Sequence, residues 1–277
     1  MKDVQNERDN RNIAIDQVGV TSIQYPISVL DKRNETQQTV ANISMTVQLE
    51  NEFKGTHMSR FLEVLNLHRG QITIENIPNI IHEIQEKLES DRAMIDIEFP
   101  YFIEKTSPVA KAASLFPISV LFSGFGCVKK DANFILGVRV PVTTLCPCSK
   151  EISVDGAHNQ RSFVTVYLAS KKFIWIEEVV DIIEKSSSCE IYPLLKRSDE
   201  KYVTEKAYNS PQFAEDIVRN VTEGMQKDDR LEWFMVETVH LESIHAHNAY
   251  ARVERFNKRT TALEEHLRFF KGLARNS

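Results

Sequence analysis

The sequence predicts an α+β protein of two successive strand-strand-helix-helix-strand-strand units, and three observations carry that reading. Several stretches alternate apolar and polar residues with the period of a half-buried strand, as in TVANISMTVQL (39–49). Others, such as IWIEEVVDIIEKS (174–186), place apolar residues three and four apart, the period of an amphipathic helix. The same order of elements recurs at a pitch of roughly 115 residues, which is the mark of an internal duplication.

Residues 1–12, MKDVQNERDNRN, are too polar to bury anything and read as a flexible arm. The first unit, 13–130, opens with a strand over IAIDQVGVTSIQYPISVLD, a turn at DKRNE and a second strand over TVANISMTVQL. Alternation of Val40, Ile43 or Met45, Val47 and Leu49 marks the two as an antiparallel pair. Thr56 fits a helix N-cap before HMSRFLEVLNLHRG, where Met58, Phe61, Leu62 and Leu65 recur at helical spacing. PNIIHEIQEKLES reads as a second helix with Pro78 in its first turn. AMIDIEFPYFIE and LFPISVLFSGFGCV then read as strands. The second unit, 131–256, repeats the order: strands at NFILGVRVPVTTL and RSFVTVYLAS, a helix at IWIEEVVDIIEKS, a helix at SPQFAEDIVRNVTEGMQ capped by Ser210 with Pro211 first, and strands at FMVETVHLESIH and AYARVERF. The tail, 257–277, reads as a peripheral helix whose stripe of Leu263, Leu267 and Phe270 serves packing or subunit contact.

Composition narrows the function. With 42% hydrophobic residues in 277, the chain can build a substantial core. A net charge of −5, without a continuous basic stripe, argues against a surface that tracks nucleic-acid phosphates. No apolar run reaches membrane-spanning length, and the polar start is not a secretory signal. Four cysteines do not make a disulfide framework in a chain this long, so a cytoplasmic, reducing setting is expected.

Two pairs of metal-ligand residue types stand out: Cys146 and Cys148 in TTLCPCSK, and His245 and His247 in ESIHAHNAY. On an extended strand, residues i and i+2 share a face, whereas on a helix they diverge by roughly 200°. Each pair could therefore aim two donors at one point. His158 in DGAHNQRS and Glu200 in KRSDEKYVTE add an imidazole and a carboxylate, a mixture that suits zinc, or manganese where oxygen and nitrogen dominate. Spacing alone leaves two alternatives open, a closed tetrathiolate site that also uses Cys127 and Cys189, and histidines with no shared metal.

The blocks TTLCPCSKEIS, GAHNQRS, LLKRSDEKYVTEKAY, PQFAED and ESIHAHNAYA, with KGTHMSRFLEVL in the first half, resemble the type IB GTP cyclohydrolases from about Ile13 to Arg255. The resemblance implies a tunnelling fold, two units per chain, whose antiparallel sheets close into a barrel on oligomerisation, here as a homotetramer with active sites at subunit interfaces. It implies hydrolysis of GTP to 7,8-dihydroneopterin triphosphate and formate, the first step towards tetrahydrofolate and in many bacteria towards queuosine. It also implies one divalent ion per site, Zn²⁺ or Mn²⁺, held by Cys146, His158, Glu200 and His245.

That chemistry needs water to attack C8 of guanine and then several proton transfers, so a general acid/base is expected beside the metal. His247 is the candidate, with Glu242 second because alternation along a strand would turn it away from His245. Cys148 is a reserve thiol near the metal, and a Cys146–Cys148 disulfide would disable the site. Glu215 is assigned to the guanine base, since a carboxylate accepts two parallel hydrogen bonds from a ring N–H and an exocyclic amine. Many relatives read PRFVED where this chain has PQFAED, a change that touches local packing and keeps the glutamate. No GxxxxGK[ST] loop is present, so the triphosphate is expected on Lys54, His57 and Arg60 at the start of the first helix, with Lys150 and Arg161 as further options. Rival readings are the tunnelling-fold NADPH-dependent nitrile reductase, which leaves His158, Glu200 and His245 unexplained, a non-catalytic zinc-stabilised binding module, and a thiol oxidoreductase using Cys146 and Cys148.

Overall fold

The computed structural model describes residues 5, 7–69, 72–127 and 130–273. Expected arm residues 1–4 and 6 and tail residues 274–277 lie outside them. In chain order the elements are β1 (Ile15–Asp31), β2 (Glu35–Leu49), α1 (Met58–Leu67), α2 (Ile77–Leu88), β3 (Arg92–Thr106), β4 (Ala113–Cys127), β5 (Lys130–Leu145), α3 (Pro147–Ile152), β6 (Asn159–Ser170), α4 (Ile176–Lys185), β7 (Cys189–Glu190), α5 (Arg197–Asn209), α6 (Ala214–Met225), β8 (Leu231–His240), β9 (Ala249–Phe256) and α7 (Thr261–Phe269). The strands hydrogen-bond in the order β1-β2-β3-β4-β5-β6-β8-β9, with β7 pairing β5. The expected order of elements is present, with α3, β7 and α5 added in its second half. No helix among the described residues is long and apolar enough to cross a membrane.

Two compact units divide the chain, and they are not its linear halves. One comprises residues 1–100, 121–136 and 259–277, the other 101–120 and 137–258. The division expected at 130/131 is redrawn because β3, β4 and β5 are long enough to contribute different stretches to each unit, and because the tail packs with the first.

In the first unit, β1 and β2 pair antiparallel, with Ile27 opposite Thr39 and Ile43 opposite Ile23. Ala41, Ile43, Met45, Val47 and Leu49 point into the core. Val40 falls on the other face, 56% exposed, because the two-residue period admits only the odd positions. Helix α1 starts after His57, not Thr56, and buries Phe61, Val64 and Leu65. Met58 and Leu62, expected in its apolar stripe, are exposed. Helix α2 carries its proline in the first turn and buries Ile77, Ile80, Ile81, Ile84 and Leu88. It lies so close to the sheet that a Cβ on Gly124 would come within 2.5 Å of Ile77 Cγ2, so only glycine fits there.

The tail helix α7 is not peripheral. Leu263 and His266 are fully buried. The side chains of Ser123 and Phe125 alternate with Gly124 along β4 and so face away from α2. They meet α7: Ser123 Oγ lies 2.9 Å from His266 Nε2, and the Phe125 and His266 rings stack at 5.6 Å. Asp96 Oδ1 accepts from Ser123 at 2.5 Å, and the Asn133 side-chain amide contacts His266 Nδ1 at 3.0 Å. Burial holds His266 down at about 3 and pushes Asp96 up to about 6. The arm is also engaged: Gly55 N–H donates to Gln5 O and Lys54 N–H to Glu7 O, both at 3.1 Å.

In the second unit, α4 buries Ile176, Val179, Val180 and Ile183, and α6 buries Ala214, Ile217, Val218, Val221 and Met225. The two helices meet at Gly224, where a Cβ would lie 2.7 Å from Ile182 Cγ2. Helix α6 begins after Phe213, whose N–H donates to Asp216 Oδ2 at 3.0 Å. Ser210 and Pro211 therefore precede the helix instead of capping it.

Candidate active site

The second unit gathers the chemistry around the short helix α3. Cys146 is its N-cap, and its sulfur accepts from the Ser149 N–H at 3.5 Å. The Cys146 N–H donates to His158 O at 3.1 Å, so the loop after α3 folds back and sets His158 beside Cys146 in the backbone. One residue earlier, Leu145 O accepts from Gln212 N–H at 3.0 Å, which ties the PQFAED segment to the same point. Leu145 N–H in turn donates to Ser188 Oγ at 3.1 Å. Three segments distant in sequence thus converge at residues 145–146.

His158 is oriented by a buried polar chain. Its Nδ1 lies 3.0 Å from Gln160 Oε1, Gln160 Nε2 donates to Thr144 Oγ1 at 3.0 Å, and Thr144 Oγ1 is 2.6 Å from Ser162 Oγ. Gln160, Thr144 and Ser162 are all buried. With the Gln160 amide donating to Thr144, its oxygen requires a proton on His158 Nδ1, which leaves the lone pair on Nε2. That is the outer hydrogen bond that a metal-binding imidazole ordinarily carries. Glu242 Oε2 stands 3.9 Å from the same Nδ1, and both side chains are only 13% exposed.

Glu242 reaches this position because β8 ends at His240. Residues 241–248 follow as irregular chain with bends at 243–247, so the strand alternation expected for ESIHAH does not operate. His245 and His247 are both exposed in this segment, their rings stacked at 5.0 Å and 15°. The cysteine pair does not have the extended geometry that would let both sulfurs share a face, since Cys146 caps α3 and Cys148 lies inside it, exposed. All four cysteines are free.

Glu200 lies in the first turn of α5 and is exposed. This helix escaped the sequence reading because KRSDEKYVTEKAYN has no apolar face, and its start is held by a cap. Among the described residues no three His, Cys, Asp or Glu side chains of one chain are gathered closely enough to hold a metal ion. The donor types fit zinc or manganese, and the outer bond on His158 fits a ligand imidazole. Within one chain, Cys146 and His158 are neighbours, while Glu200 and His245 face outward.

Glu215 stands in the first turn of α6, exposed. Close by, sequence reasoning missed His240, which is 2% exposed with Nε2 buried and unpartnered among the described residues. Burial holds His240 down at about 4, against the upward pull of the Glu215 carboxylate. Its position on the inward face with Phe234, Val236 and Thr238 was the available signal.

The expected phosphate contacts divide. Lys150 reaches the Tyr208 carbonyl and lies 4.3 Å over the Tyr208 ring, while Arg161 is an exposed residue of β6. Lys54, His57 and Arg60 belong to the first unit. A small open cleft there is lined by Phe53, Thr56, His57, Arg60 and Leu88. Lys54 pairs with Glu7 at 2.9 Å, and Arg60 donates to Lys87 O at 3.0 Å with Glu89 at 3.8 Å.

Comparison with solved structures places the fold among α+β proteins with a large antiparallel sheet. The uricase of Arthrobacter globiformis superposes with a TM-score of 0.53 over 88% of this chain and 95% of its own, at 9% identity. A Bacillus sp. TB-90 urate oxidase gives 0.51 over 88% and 100%, at 8% identity. Identity this low speaks for the fold alone. The family is fixed by sequence: residues 1–251 match the model of the Type I GTP cyclohydrolase folE2 family, and the chain belongs to it. "GTP cyclohydrolase FolE2" of Syntrophus aciditrophicus (strain SB) is 54% identical over 92% of this chain and all of its own. The FolE2 protein of Syntrophotalea carbinolica is 52% identical over 95% and 98%. GTP cyclohydrolase is the activity that this membership carries.

Proposed function

We propose that this chain is a type IB GTP cyclohydrolase of the tunnelling fold, converting GTP to 7,8-dihydroneopterin triphosphate and formate for tetrahydrofolate and, where that pathway is present, queuosine synthesis in the cytoplasm. Family membership supports the reaction; the structural observation that supports the assigned residues is the Ser162–Thr144–Gln160–His158 hydrogen-bond chain. It fixes the tautomer of one imidazole, as a catalytic ligand requires.

Cys146, His158, Glu200 and His245 would hold a divalent Zn²⁺ or Mn²⁺, which when bound supplies a hydrolytic water active at neutral pH. Gln160 keeps the His158 Nδ1 proton and ring orientation. Glu242 is assigned to take and return protons beside the ligand, a reading supported by its 3.9 Å distance from that Nδ1 and its shielding from solvent. His247, stacked on His245, is the second proton-transfer group. Glu215, tied to Cys146 through the Gln212–Leu145 bond, accepts the guanine N1–H and 2-amine. Lys54, His57 and Arg60 are assigned to the triphosphate, and they would leave Glu7 and Glu89 to do so. Cys148 stands by as a thiol able to bridge Cys146 on oxidation.

The outward position of Glu200 and His245 supports a homo-oligomer, read as a homotetramer, in which copies share sites. Ile152, the last residue of α3, and Val154, two residues on, are 82% and 97% exposed and give such an interface apolar surface. The test is formate release from GTP by protein purified without added metal, paired with metal analysis and its mass in solution. Formate release with one Zn²⁺ or Mn²⁺ per chain in an oligomer is expected. A monomer with full activity overturns the shared site, and metal-independent turnover overturns the ligand set.

A further inference from the structure

Helix α5 has an anchor at each end, and the one at its start sits next to Glu200. Asp199 is fully buried, although it is an acid on a helix whose only other buried residue among its thirteen is Ala207. Its Oδ2 accepts from the Lys196 N–H at 2.9 Å, which closes the first turn of α5 as the third-residue acceptor of a capping arrangement. Its Oδ1 accepts from Val109 N–H at 2.7 Å and Ala110 N–H at 2.9 Å. Those two amides belong to the β3–β4 turn, which is itself closed by Ser107 N–H donating to Ala112 O at 2.9 Å and Ala112 N–H to Ser107 Oγ at 3.1 Å. A single carboxylate therefore joins the helix start to a rigid turn some ninety residues earlier in the chain.

Consecutive helix residues point about 100° apart. With Asp199 fixed inward, Glu200 must point outward, and its carboxylate accepts no hydrogen bond from the described residues. A polar helix such as α5 has few apolar contacts to define its rotation, so this division of labour between neighbouring acids is what sets the direction of Glu200. We infer that Asp199 is a positioning residue that locks the first turn of α5 so that Glu200 presents its carboxylate, preorganised, to the divalent ion. The inference rests on the reading of Glu200 as a ligand given above. Asp199 itself touches neither substrate nor metal.

The test compares four proteins in their full-length oligomeric form: wild type, Asp199→Asn, Glu200→Gln and Lys206→Met. The last removes the ion pair between Lys206 and Glu190, which anchors the far half of the same helix. Each is stripped of metal and titrated with Zn²⁺ against a chromophoric chelator, then loaded with Co²⁺ for its visible spectrum. Asp199→Asn places an amide donor against amides already donating, so it is expected to bind Zn²⁺ about 10- to 100-fold more weakly, the usual cost of losing an outer-shell partner. Its Co²⁺ bands are expected to shift in the direction seen for Glu200→Gln. Lys206→Met is expected to lower Tm with Zn²⁺ affinity and Co²⁺ bands unchanged. Wild-type affinity in Asp199→Asn overturns the inference, as does an equal loss in Lys206→Met, which would make the effect general destabilisation. If Glu200→Gln keeps full affinity, the ligand reading of Glu200 falls instead. Should Asp199→Asn fail to fold, Asp199→Ser, which retains one short acceptor, is read by the same two measurements.

Discussion

The two strand-strand-helix-helix-strand-strand runs use the same elements in the same order, yet only the second is interrupted. In the first, β1 to β4 and α1, α2 follow one another with short connections. In the second, α3 is set between β5 and β6, and β7 and α5 between α4 and α6. Those insertions and the segment after β8 carry Cys146, Cys148, His158, Glu200, His245 and His247. The polar interiors differ in the same sense. The first unit closes Asp96, Ser123, His266 and Asn133 beneath α7, whereas in the second the chain from Ser162 to His158 ends at a half-buried imidazole. A periodic scaffold supplies rigidity, and short aperiodic segments hung on it supply reactive groups.

Substitutions that sharpen this contrast are expected to be severe in the aperiodic segments of the second unit and to touch only stability in the closed network beneath α7 in the first. The largest effect belongs to Cys146→Ala: formate release and bound metal should both fall by more than about a hundredfold, beyond the usual cost of an outer-shell change. Retained metal and turnover would remove Cys146 from the ligand set. His247→Asn should keep its metal and lose about 10²- to 10⁴-fold in turnover, flattening one limb of the pH–rate profile. Loss of metal in that variant would instead make His247 a ligand, and full activity would reduce it to a ring stacked on His245. Glu215→Gln should weaken GTP binding by about 1.5–3 kcal/mol with metal content unchanged, read by calorimetry. Unchanged affinity would return Glu215 to complementing the α6 dipole.

The smallest effect tests the closed network of the first unit. His266 is held at about 3 against an ordinary 6.5, so below pH 6.5 the unfolded chain binds the proton first and stability falls on acidification. Asp96, at about 6 against 3.8, binds its proton in the folded state first, so its contribution rises as pH falls from 6 towards 4. The two nearly cancel across that window. Asp96→Asn removes the second and should expose a loss approaching 1.4 kcal/mol per pH unit, about one proton's worth, between pH 6 and 4. Denaturant melts at fixed pH values would show it, and a flat profile in the variant would mean that His266 is not the group responsible. Formate release at neutral pH should be unchanged.

Much of the scaffold was legible because burial imposes a period. The β1–β2 pair, α2, α4 and the bulk of α6 follow from apolar spacing, and the donor residues stood out by type. Val40 was misplaced because a strand tolerates an apolar residue on its open face. Helix α5 was missed because its stability comes from Asp199 and the Lys206–Glu190 pair, which join residues that no local window connects. The HxH motif was read on a strand because alternation was extended past His240, where β8 ends, and the strand geometry considered for CxC gives way to a helix start directly after β5.

The sequence by itself determined the family, the element order and the candidate donors, since each is written in local period or residue type. Only the tertiary structure decided which neighbour of Glu200 is buried, that Gln160 holds the His158 proton on Nδ1, that Glu242 comes within 3.9 Å of that nitrogen, and that His240 and His266 are interior. These are consequences of hydrogen bonds and packing between segments far apart in the chain, and buried polar groups must find partners wherever the fold provides them.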